Sequence, residues 1–249
     1  MKAMVLAAGL GTRLRPLTDT RPKALVEIGG RTLLEITLTR LRAFGVEEVI
    51  INVHHLADRI TEYLAAHDNF GMRVAVSCEE VLLDTGGGLK KAGWFFLDGP
   101  GQTGNEPFLL HNVDVISTVD LGGLIKAHRS SNGLATLAVQ KRDASRQLLF
   151  DDYLQLCGRR VGRDQDPEIV RTSPKLEALA FTGIHVLSPR FLKLMTEQGV
   201  FSIIDVYLRL AGQGEHIRGH RVDEYYWRDL GKPEQLQKAE QDYRQGLFT

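Results

Sequence analysis

Short apolar runs alternate with longer segments of helical period along most of the chain, and turn-forming residues separate them. Each apolar run has the length of one strand, whereas the longer segments repeat their apolar positions at the spacing of an α-helix. Strands that alternate with crossover helices build a largely parallel sheet. The pattern therefore predicts an α/β fold around such a sheet.

Turn residues and helix caps divide the pattern into elements. Thr32, with Glu35 three residues later, is typical of a helix start, and Gly45 of a helix end. The predicted strands cover residues 2–7, 48–53, 73–77, 108–111, 135–140 and 178–187, a hairpin at 146–150 and 154–158, and strands near 216–222 and 225–230. The predicted helices cover residues 33–44, 56–67, 121–129, 189–198 and 202–211, the last capped by Ser202, and a final helix that starts near Pro233. The polar segment 159–177 is expected to be a surface loop or lid.

Charge and composition narrow the class of protein. The 31 basic and 31 acidic residues balance, so no overall field attracts the chain to nucleic acid or to an anionic membrane. Cys78 and Cys157 are isolated, without zinc or redox spacing. The sequence shows no signal peptide and no apolar run of bilayer length, so we expect a cytoplasmic protein that holds any anion locally.

The first predicted strand ends in the small-residue stretch LAAGLGTR. A dinucleotide fingerprint needs a third glycine where this chain has Leu14. A P-loop needs Gly-Lys-Ser/Thr, whereas Thr12 and Arg13 follow Gly11 here. Both familiar phosphate-binding motifs are therefore excluded.

The same loop can still bind phosphate in another way. Few side chains intervene between residues 7 and 12, so backbone N–H groups can approach a triphosphate closely. Arg13 adds a forked donor, and Lys23, ten residues later, adds a compact positive charge. On residue types alone, the alternative is that the glycines only turn the chain and that both basic residues are solvated.

The longer string LAAGLGTRLRPLTDTRPKAL resembles the signature of the sugar-1-phosphate nucleotidylyltransferases. DTGGGL, HNVDV, FTGIHVL and WRDLG follow in the family's order, so the resemblance extends from residue 1 to about residue 240. It implies a single domain, 1–249, with a Rossmann-like, mostly parallel sheet flanked by helices. Within it, residues 1–140 would form the nucleotide-binding core, 141–231 a smaller sugar-binding lobe and 232–249 a C-terminal helix. Length and the triple glycine are most similar to the N-acetylmuramic acid 1-phosphate uridylyltransferase branch.

The resemblance implies that an NTP and a sugar 1-phosphate give an NDP-sugar and pyrophosphate. A phosphate monoester is already an anion near neutral pH, so its oxygen needs no general base, and catalysis reduces to positioning and charge neutralisation. By the same resemblance, Arg13 would contact the β- and γ-phosphates, and Lys23 would bridge the α-phosphate and the sugar phosphate. Asp114 and Asp229 would hold Mg²⁺, which prefers hard oxygen ligands.

The remaining site residues are carried over from the same motifs. The nucleotide-binding candidates are Leu6, Ala7, Ala8, Gly9, Gly11, Thr12, Arg13, Lys23, Glu79, Gly86, Gly87, Asn112 and Asp114, and the sugar-binding candidates are Asn112, Gly183 and Asp205. Glu79 and the glycine backbone are expected to select the base. Each acid also has an ordinary structural alternative: Glu79 as a solvated carboxylate, Asp114 and Asp229 as turn residues, and Asp205 as part of a capping box with Ser202.

Two departures from the family pattern concern the substrate. Val113 precedes Asp114 where most relatives have glycine, and no V-x-E-K-P string supplies sugar contacts, so Glu168, Arg171 and Lys175 stay unassigned. Ala7 and Ala8 replace a double glycine more typical of guanylyl enzymes, which favours UTP. The alternatives are guanylyl transfer to a mannose- or heptose-type 1-phosphate, cytidylyl transfer to an alcohol phosphate, and a catalytically silent regulatory homologue. We expect a monomer or small homo-oligomer whose partners are NTP and sugar 1-phosphate.

Overall fold

The computed structural model describes residues 1–97, 106–162 and 165–248. The strands are β1 (Lys2–Leu6), β2 (Glu27–Ile28), β3 (Arg31–Thr32), β4 (Glu48–Val53), β5 (Arg73–Cys78), β6 (Phe108–Asn112), β7 (Val115–Ser117), β8 (Ala135–Gln140), β9 (Arg146–Phe150), β10 (Leu156–Val161), β11 (Glu168–Ile169), β12 (Glu177–Leu187), β13 (Ile217–Arg221) and β14 (Trp227–Asp229). The helices are α1 (Leu33–Ala43), α2 (Ala57–Ala66), α3 (Asp84–Lys91), α4 (Trp94–Leu97), α5 (Leu121–Ser131), α6 (Arg190–Leu194), α7 (Ile203–Gly212) and α8 (Pro233–Arg244).

One large mixed sheet organises the molecule, in the order β11-β10-β9-β12-β6-β1-β4-β5, with β8 beside β12 and β13 beside β8. The neighbours β6, β1, β4 and β5 run parallel, whereas β12 runs antiparallel to β6, β8 and β9. Parallel strands bring their carboxyl ends to one edge, where open α/β sheets bind ligands. The predicted α/β fold with a largely parallel core sheet is confirmed.

Apolar side chains cover both faces of β1, which explains its unbroken apolar sequence. Ala3 and Val5 pack into one buried cluster with α1 and α5, and Met4 packs into the other with Leu89 and Tyr207. Successive strand residues point to opposite faces, so one strand joins the two halves of the core. The edge at which β1 ends is therefore held rigidly from both sides.

The helix caps follow the predicted chemistry, but one predicted helix is too long. The Thr32 hydroxyl accepts from the N–H of Glu35 at 3.0 Å, and the Ser202 hydroxyl from the N–H of Ile204 at 3.2 Å. The helix predicted at 189–198 is wrong beyond α6, which ends at Leu194. The chain leaves the helix there because residues 195–202 run against α3, where the Phe201 carbonyl accepts from the N–H groups of Gly86 and Gly87.

The segment predicted as a loop at 159–177 is partly strand. β10 continues to Val161, and β11 pairs antiparallel with it, Arg159 opposite Glu168. Residues 163–164 of this segment lie outside the described residues. The predicted division at residue 140 falls between β8 and β9 within one continuous sheet, and the division into core and lobe stays a prediction. In the described part of the chain, every helix is too short or too polar to cross a membrane.

Candidate active site

The loop after β1 presents a row of free backbone donors at the carboxyl edge of the sheet. The N–H of Ala7 donates to the Asn52 side-chain oxygen at 2.8 Å. The next N–H groups, of residues 8–10, make no hydrogen bond with any part of the chain that the structure describes. Gly11 then turns with φ of 64°, and a Cβ there would lie 2.9 Å from the Thr18 methyl group. The loop is thus fixed at both ends and open in the middle, as phosphate binding requires.

Glu79 positions this loop. It is 2% exposed, and its carboxylate accepts from the Asn52 amide at 2.7 Å and from the N–H of Leu83 at 2.9 Å. Asn52 in turn holds Ala7, so the carboxylate supports the loop from behind. Glu79 is buried and both of its oxygens accept hydrogen bonds, which excludes the solvated alternative, while its contact with the base stays a prediction.

The triple glycine lies within helix α3, a helix that the sequence pattern did not predict. The N–H groups of Gly86 and Gly87 already donate to the Phe201 carbonyl, at 3.0 and 3.3 Å. A Cβ on Gly86 would lie 2.5 Å from the Phe201 ring, and one on Gly87 would lie 2.5 Å from the Gly199 carbonyl oxygen. The glycines therefore allow close packing of α3, and their predicted role in base recognition stays a prediction.

Lys23 and Asp114 form an ion pair beneath the loop. Lys23 begins a short 3-10 helix and is 8% exposed, and its ammonium group donates to the Asp114 carboxylate. Asp114 follows β6 by two residues, so the pair spans the loop and the carboxyl edge of the sheet. A buried lysine on a partly exposed carboxylate supplies a positive charge that an arriving phosphate can share.

Asp229 reaches the same region from the end of β14. Asp229 lies opposite Val115 in the β7–β14 pair, and the N–H of Leu230 donates to the backbone carbonyl of Asp114 at 2.8 Å. A Cβ on Gly231 would lie 2.6 Å from the Arg13 guanidinium and 2.7 Å from an Asp229 carboxylate oxygen, so both side chains extend over this glycine. The structure thus brings Lys23 to Asp114 and Arg13 to Asp229, four residues that the motifs predicted one by one.

Asp114 and Asp229 are a suitable but incomplete ligand set for Mg²⁺. Both offer hard carboxylate oxygens from adjoining positions, which fits the ion's preference. Among the described residues, no group of three or more His, Cys, Asp or Glu side chains could hold a metal ion. The remaining ligands would have to be water and phosphate oxygens, as is usual for Mg²⁺ on a nucleotide.

Three cavities meet at Asn112, the last residue of β6. The loop cavity, of 330 Å³, contains Ala7, Gly9, Lys23 and Asp114. The β9–β10 cavity, of 620 Å³, lies between those strands, Phe181 and α7. The β14 cavity, of 790 Å³, contains Arg13 and Asp229. Asn112 lines all three, so ligands in separate cavities would meet there.

The predicted binding residues divide among these cavities. Leu6, Ala8 and Asn112 line the loop cavity as expected, Asp205 lines the β9–β10 cavity, and Gly183 lines the β14 cavity. Gly183 leaves room for Asn112, since a Cβ there would lie 2.7 Å from the Asn112 amide nitrogen. Gly11, Thr12, Glu79, Gly86 and Gly87 line none of the three.

The Asp205 side chain forms an ion pair instead of the capping box with Ser202. Its carboxylate accepts from the Arg159 guanidinium at 2.6 Å, and Arg159 also pairs with Glu168 at 2.7 Å. These contacts join β10, β11 and α7 beside the β9–β10 cavity. A sugar contact by Asp205 stays a prediction.

Several residues that line the site lie outside the sequence motifs described above. Leu82 and Val200 form apolar walls of the loop cavity, and Val200 is 61% exposed. Arg142 lies over the Trp227 ring, 3.7 Å from its centroid, and burial lowers the pKa of Arg142, with Asp229 acting in the opposite direction. His185 lines the β9–β10 cavity, and burial lowers its pKa to about 3, so the ring is neutral. In the sequence, Val200 is marked only by its position directly after the turn-forming Gly199.

The site lies at the carboxyl edge of a parallel sheet and combines free N–H donors, a buried lysine and two carboxylates. These groups can bind and polarise a nucleoside triphosphate, so the class of protein that fits them is the phosphate-transferring α/β enzymes. Residues 2–148 match the family model described as Nucleotidyl transferase. The chain is also 35% identical over 247 residues to the N-acetylmuramate alpha-1-phosphate uridylyltransferase of Caulobacter vibrioides, covering 96% of this chain and 95% of that relative. The protein therefore belongs to the nucleotidyl transferase family, among the sugar-1-phosphate nucleotidyltransferases.

Other relatives act on different sugars and bases. The chain is 30% identical to a UTP–glucose-1-phosphate uridylyltransferase of Synechocystis, over 93% of this chain and 60% of the relative. It is 28% identical to the mannose-1-phosphate guanylyltransferase of Mycobacterium tuberculosis, over 98% of this chain and 65% of the relative. The chain thus spans less than two thirds of the length of these two relatives.

Solved structures share the fold at low sequence identity. A UDP-glucose pyrophosphorylase complexed with UDP-glucose superposes with a TM-score of 0.79 at 17% identity, covering 98% of both chains. The inositol-1-phosphate CTP transferase from T. maritima superposes with a TM-score of 0.75 at 18% identity, covering 100% of this chain and 98% of that chain. These similarities support the nucleotide-diphospho-sugar transferase fold.

Proposed function

We propose that the protein transfers the uridylyl group of UTP to a hexose or amino-sugar 1-phosphate, with Mg²⁺ as cofactor. An oxygen of the sugar phosphate forms a bond to the α-phosphorus, the bond from that phosphorus to the bridging oxygen of the β-phosphate breaks, and pyrophosphate leaves. The observation that carries this proposal is the buried Lys23–Asp114 pair, which lies in the loop cavity beside Asn112.

The loop cavity suits a nucleotide with its base and phosphates at opposite ends. Leu82 and Val200 offer apolar surface to a base, and the free N–H groups after Ala7 would donate to phosphate oxygens. Lys23 would then lie between the α-phosphate and the incoming sugar phosphate, where its charge offsets their repulsion. Because the attacking oxygen is already anionic, the site needs no general base.

Mg²⁺, held by Asp114 and Asp229 together with phosphate oxygens, would neutralise charge that develops on the leaving phosphates. Arg13, beside Asp229, would bind the same phosphates through its forked guanidinium. Lys23, released from Asp114 when the substrates bind, would hold the reacting phosphates in line. Each of these residues acts by position and charge rather than by proton transfer.

The choice of UTP is supported by two uridylyltransferase relatives and by the alanines at positions 7 and 8. The sugar would occupy the β9–β10 cavity, which adjoins the loop cavity at Leu6 and Asn112. Guanylyl transfer to mannose 1-phosphate is the second candidate, because relatives with that activity match over nearly the whole chain. Activity with GTP that exceeds activity with UTP would favour it.

The test measures pyrophosphate release from five nucleoside triphosphates, each with N-acetylmuramic acid, glucose and mannose 1-phosphates, with and without Mg²⁺. We expect UTP to give the highest kcat/KM and release to require Mg²⁺. Asp114→Asn should abolish most of the rate, whereas Asp152→Asn, a surface acid paired with Lys175, should not. No release with any pair would contradict the enzyme proposal, and unchanged rates in Asp114→Asn would contradict the metal assignment.

A further inference from the structure

Asp84, the first residue of α3, lies where the loop cavity meets the β9–β10 cavity. Both cavities are lined by Leu6, Asp84, Thr85 and Asn112. Leu6 is apolar, and the Thr85 hydroxyl already accepts from the N–H of Ile203 at 3.0 Å. In the described part of the chain, Asp84 is therefore the one charged side chain that the two cavities share.

The Asp84 carboxylate has free capacity to accept hydrogen bonds. Asp84 is exposed, and one of its carboxylate oxygens accepts from the N–H of Thr85 at 2.5 Å. It forms no ion pair with any residue that the structure describes, and Lys23, the basic residue of the loop cavity, is paired with Asp114. A carboxylate has about four acceptor positions, so further O–H or N–H donors can bind there.

The backbone at Asp84 is strained, and its neighbours maintain the strain. Its φ of 59° lies in the left-handed region, which glycine adopts more readily than a residue with a side chain. The N–H of Leu83 donates to the Glu79 carboxylate at 2.9 Å, and the Leu83 carbonyl accepts from the N–H of Phe201 at 3.2 Å. Glycine would fit this position better, so the backbone does not explain the aspartate. Strained residues that their surroundings hold in place cluster at ligand-binding sites.

The negative charge restricts which part of a ligand can contact Asp84. A carboxylate repels the phosphate groups of both substrates. The ribose of the nucleotide and the acceptor sugar instead carry hydroxyl groups, and a hydroxyl that donates to a carboxylate forms a charge-assisted hydrogen bond. Ring hydroxyl groups are therefore the ligand groups that suit Asp84 at this junction.

We propose that the Asp84 carboxylate accepts a hydrogen bond from a ring hydroxyl of a bound substrate, on the ribose or on the acceptor sugar, and selects substrates that carry it. This inference rests on the proposed function, because that function brings the two rings to the junction of the cavities. The aspartate lowers the stability of the fold where glycine would fit better, and it contributes discrimination between substrates.

The experiment measures binding of UDP-glucose by calorimetry, because this ligand carries both rings and its binding needs no turnover. UDP-glucose is compared with analogues that each lack one hydroxyl of the ribose or of the glucose. We expect the wild type to bind at least one analogue about ten-fold or more weakly than UDP-glucose, because hydrogen bonds to charged groups are the stronger ones. Asp84→Gly should bind UDP-glucose and that analogue equally. The ring that lacks the hydroxyl in that analogue identifies the sugar that Asp84 contacts.

Asp68→Gly is the matched control, because Asp68 is also an exposed left-handed aspartate, with φ of 49°, and lines none of the three cavities. Both glycine variants should unfold at the same urea concentration as the wild type or at a higher one, since glycine relieves the left-handed strain. Asp68→Gly should discriminate between the ligands as the wild type does. If Asp84→Gly does not fold, Asp84→Asn takes its place, because asparagine tolerates the left-handed region and lacks the charge.

Two binding results would overturn the inference. A wild type that binds every analogue as tightly as UDP-glucose would show that no ring hydroxyl is recognised at the junction. Equal discrimination in Asp84→Gly and the wild type would assign the recognition to another residue. A wild type that transfers no uridylyl group but discriminates between these ligands through Asp84 would contradict the proposed function and support this inference. A wild type that does not bind UDP-glucose at all would contradict both.

Discussion

At the residue scale, the motif predicted Lys23 and Asp114 as site residues, but it did not predict that they form an ion pair. The alternative of a solvated Lys23 is wrong, because Lys23 is buried and paired with Asp114 across the site. Burial of a charge depends on partners far away in the sequence, which local patterns do not show. Arg142 was missed for the same reason, because it is held in the site by Trp227 and Phe181, which lie far away in the sequence.

We expect Lys23→Ala to lower kcat/KM for UTP and the sugar 1-phosphate by about 10²- to 10³-fold, because it removes a charge directed at the reacting phosphates. The variant also leaves the Asp114 carboxylate without its partner, so a modest loss of thermal stability should accompany the loss of rate. Steady-state kinetics and thermal unfolding measure the two effects. Lys126→Ala, an exposed lysine on α5, is the matched control, and a Lys23→Ala enzyme as fast as this control would contradict the role given to Lys23.

At the element scale, long and strongly patterned segments were predicted correctly. β8 and β9 have the predicted bounds, and α1 starts at the predicted cap. Helix α3 was missed because three consecutive glycines normally favour a loop, and here the packing of Phe201 on Gly86 outweighs that preference. The premature end of α6 follows from the same contact, since residues 195–202 must extend to reach α3.

The two glycines of the loop after β1 should respond differently to substitution. Gly11→Ala forces a Cβ into the left-handed region and against Thr18, so the free energy of unfolding should fall by about 1–3 kcal/mol. Gly9→Ala meets no atom within 4 Å, so stability should change by less than about 0.5 kcal/mol, while the KM for UTP rises because the methyl group enters the loop cavity. Urea unfolding and kinetics measure both, and a Gly9→Ala variant with unchanged KM would contradict nucleotide binding by this loop.

At the scale of the whole molecule, the α/β class and the position of the site at the carboxyl edge were predictable, because apolar periodicity and motif order determine both. The way the cavities meet at Asn112 was not predictable. It depends on the antiparallel strand β12 crossing between β6, β8 and β9, and on Gly183 leaving room for the Asn112 side chain. Long-range strand pairing of this kind has no local sequence signal.

Buried histidines should make the stability of the fold depend on pH. Burial lowers the pKa of His111 and His128 from 6.5 to about 4, and that of His185 to about 3. The unfolded chain binds protons below about pH 6.5 while the native ring stays neutral. The neutral buried histidines therefore contribute fully to the free energy of unfolding above about pH 6.5. The free energy of unfolding falls as pH decreases toward 4, by up to about 1.4 kcal/mol per pH unit for each histidine.

Urea unfolding between pH 7 and pH 4.5 measures this slope. His128→Gln, which can keep bonds to the Thr136 and Ser188 hydroxyls, should lose about one histidine's share of the slope. His216→Gln changes an exposed ring and controls for the substitution itself. Equal slopes in the wild type and His128→Gln would show that His128 is not a neutral buried group.

The most direct test of the central claim follows the α-phosphate of labelled UTP. With Mg²⁺ and an accepted sugar 1-phosphate, we expect the label to move into a UDP-sugar and unlabelled pyrophosphate to appear in equal amount, with both products lost in Lys23→Ala. Label that appears in free UMP or UDP, or that stays in UTP with every sugar 1-phosphate offered, would contradict uridylyl transfer by this site.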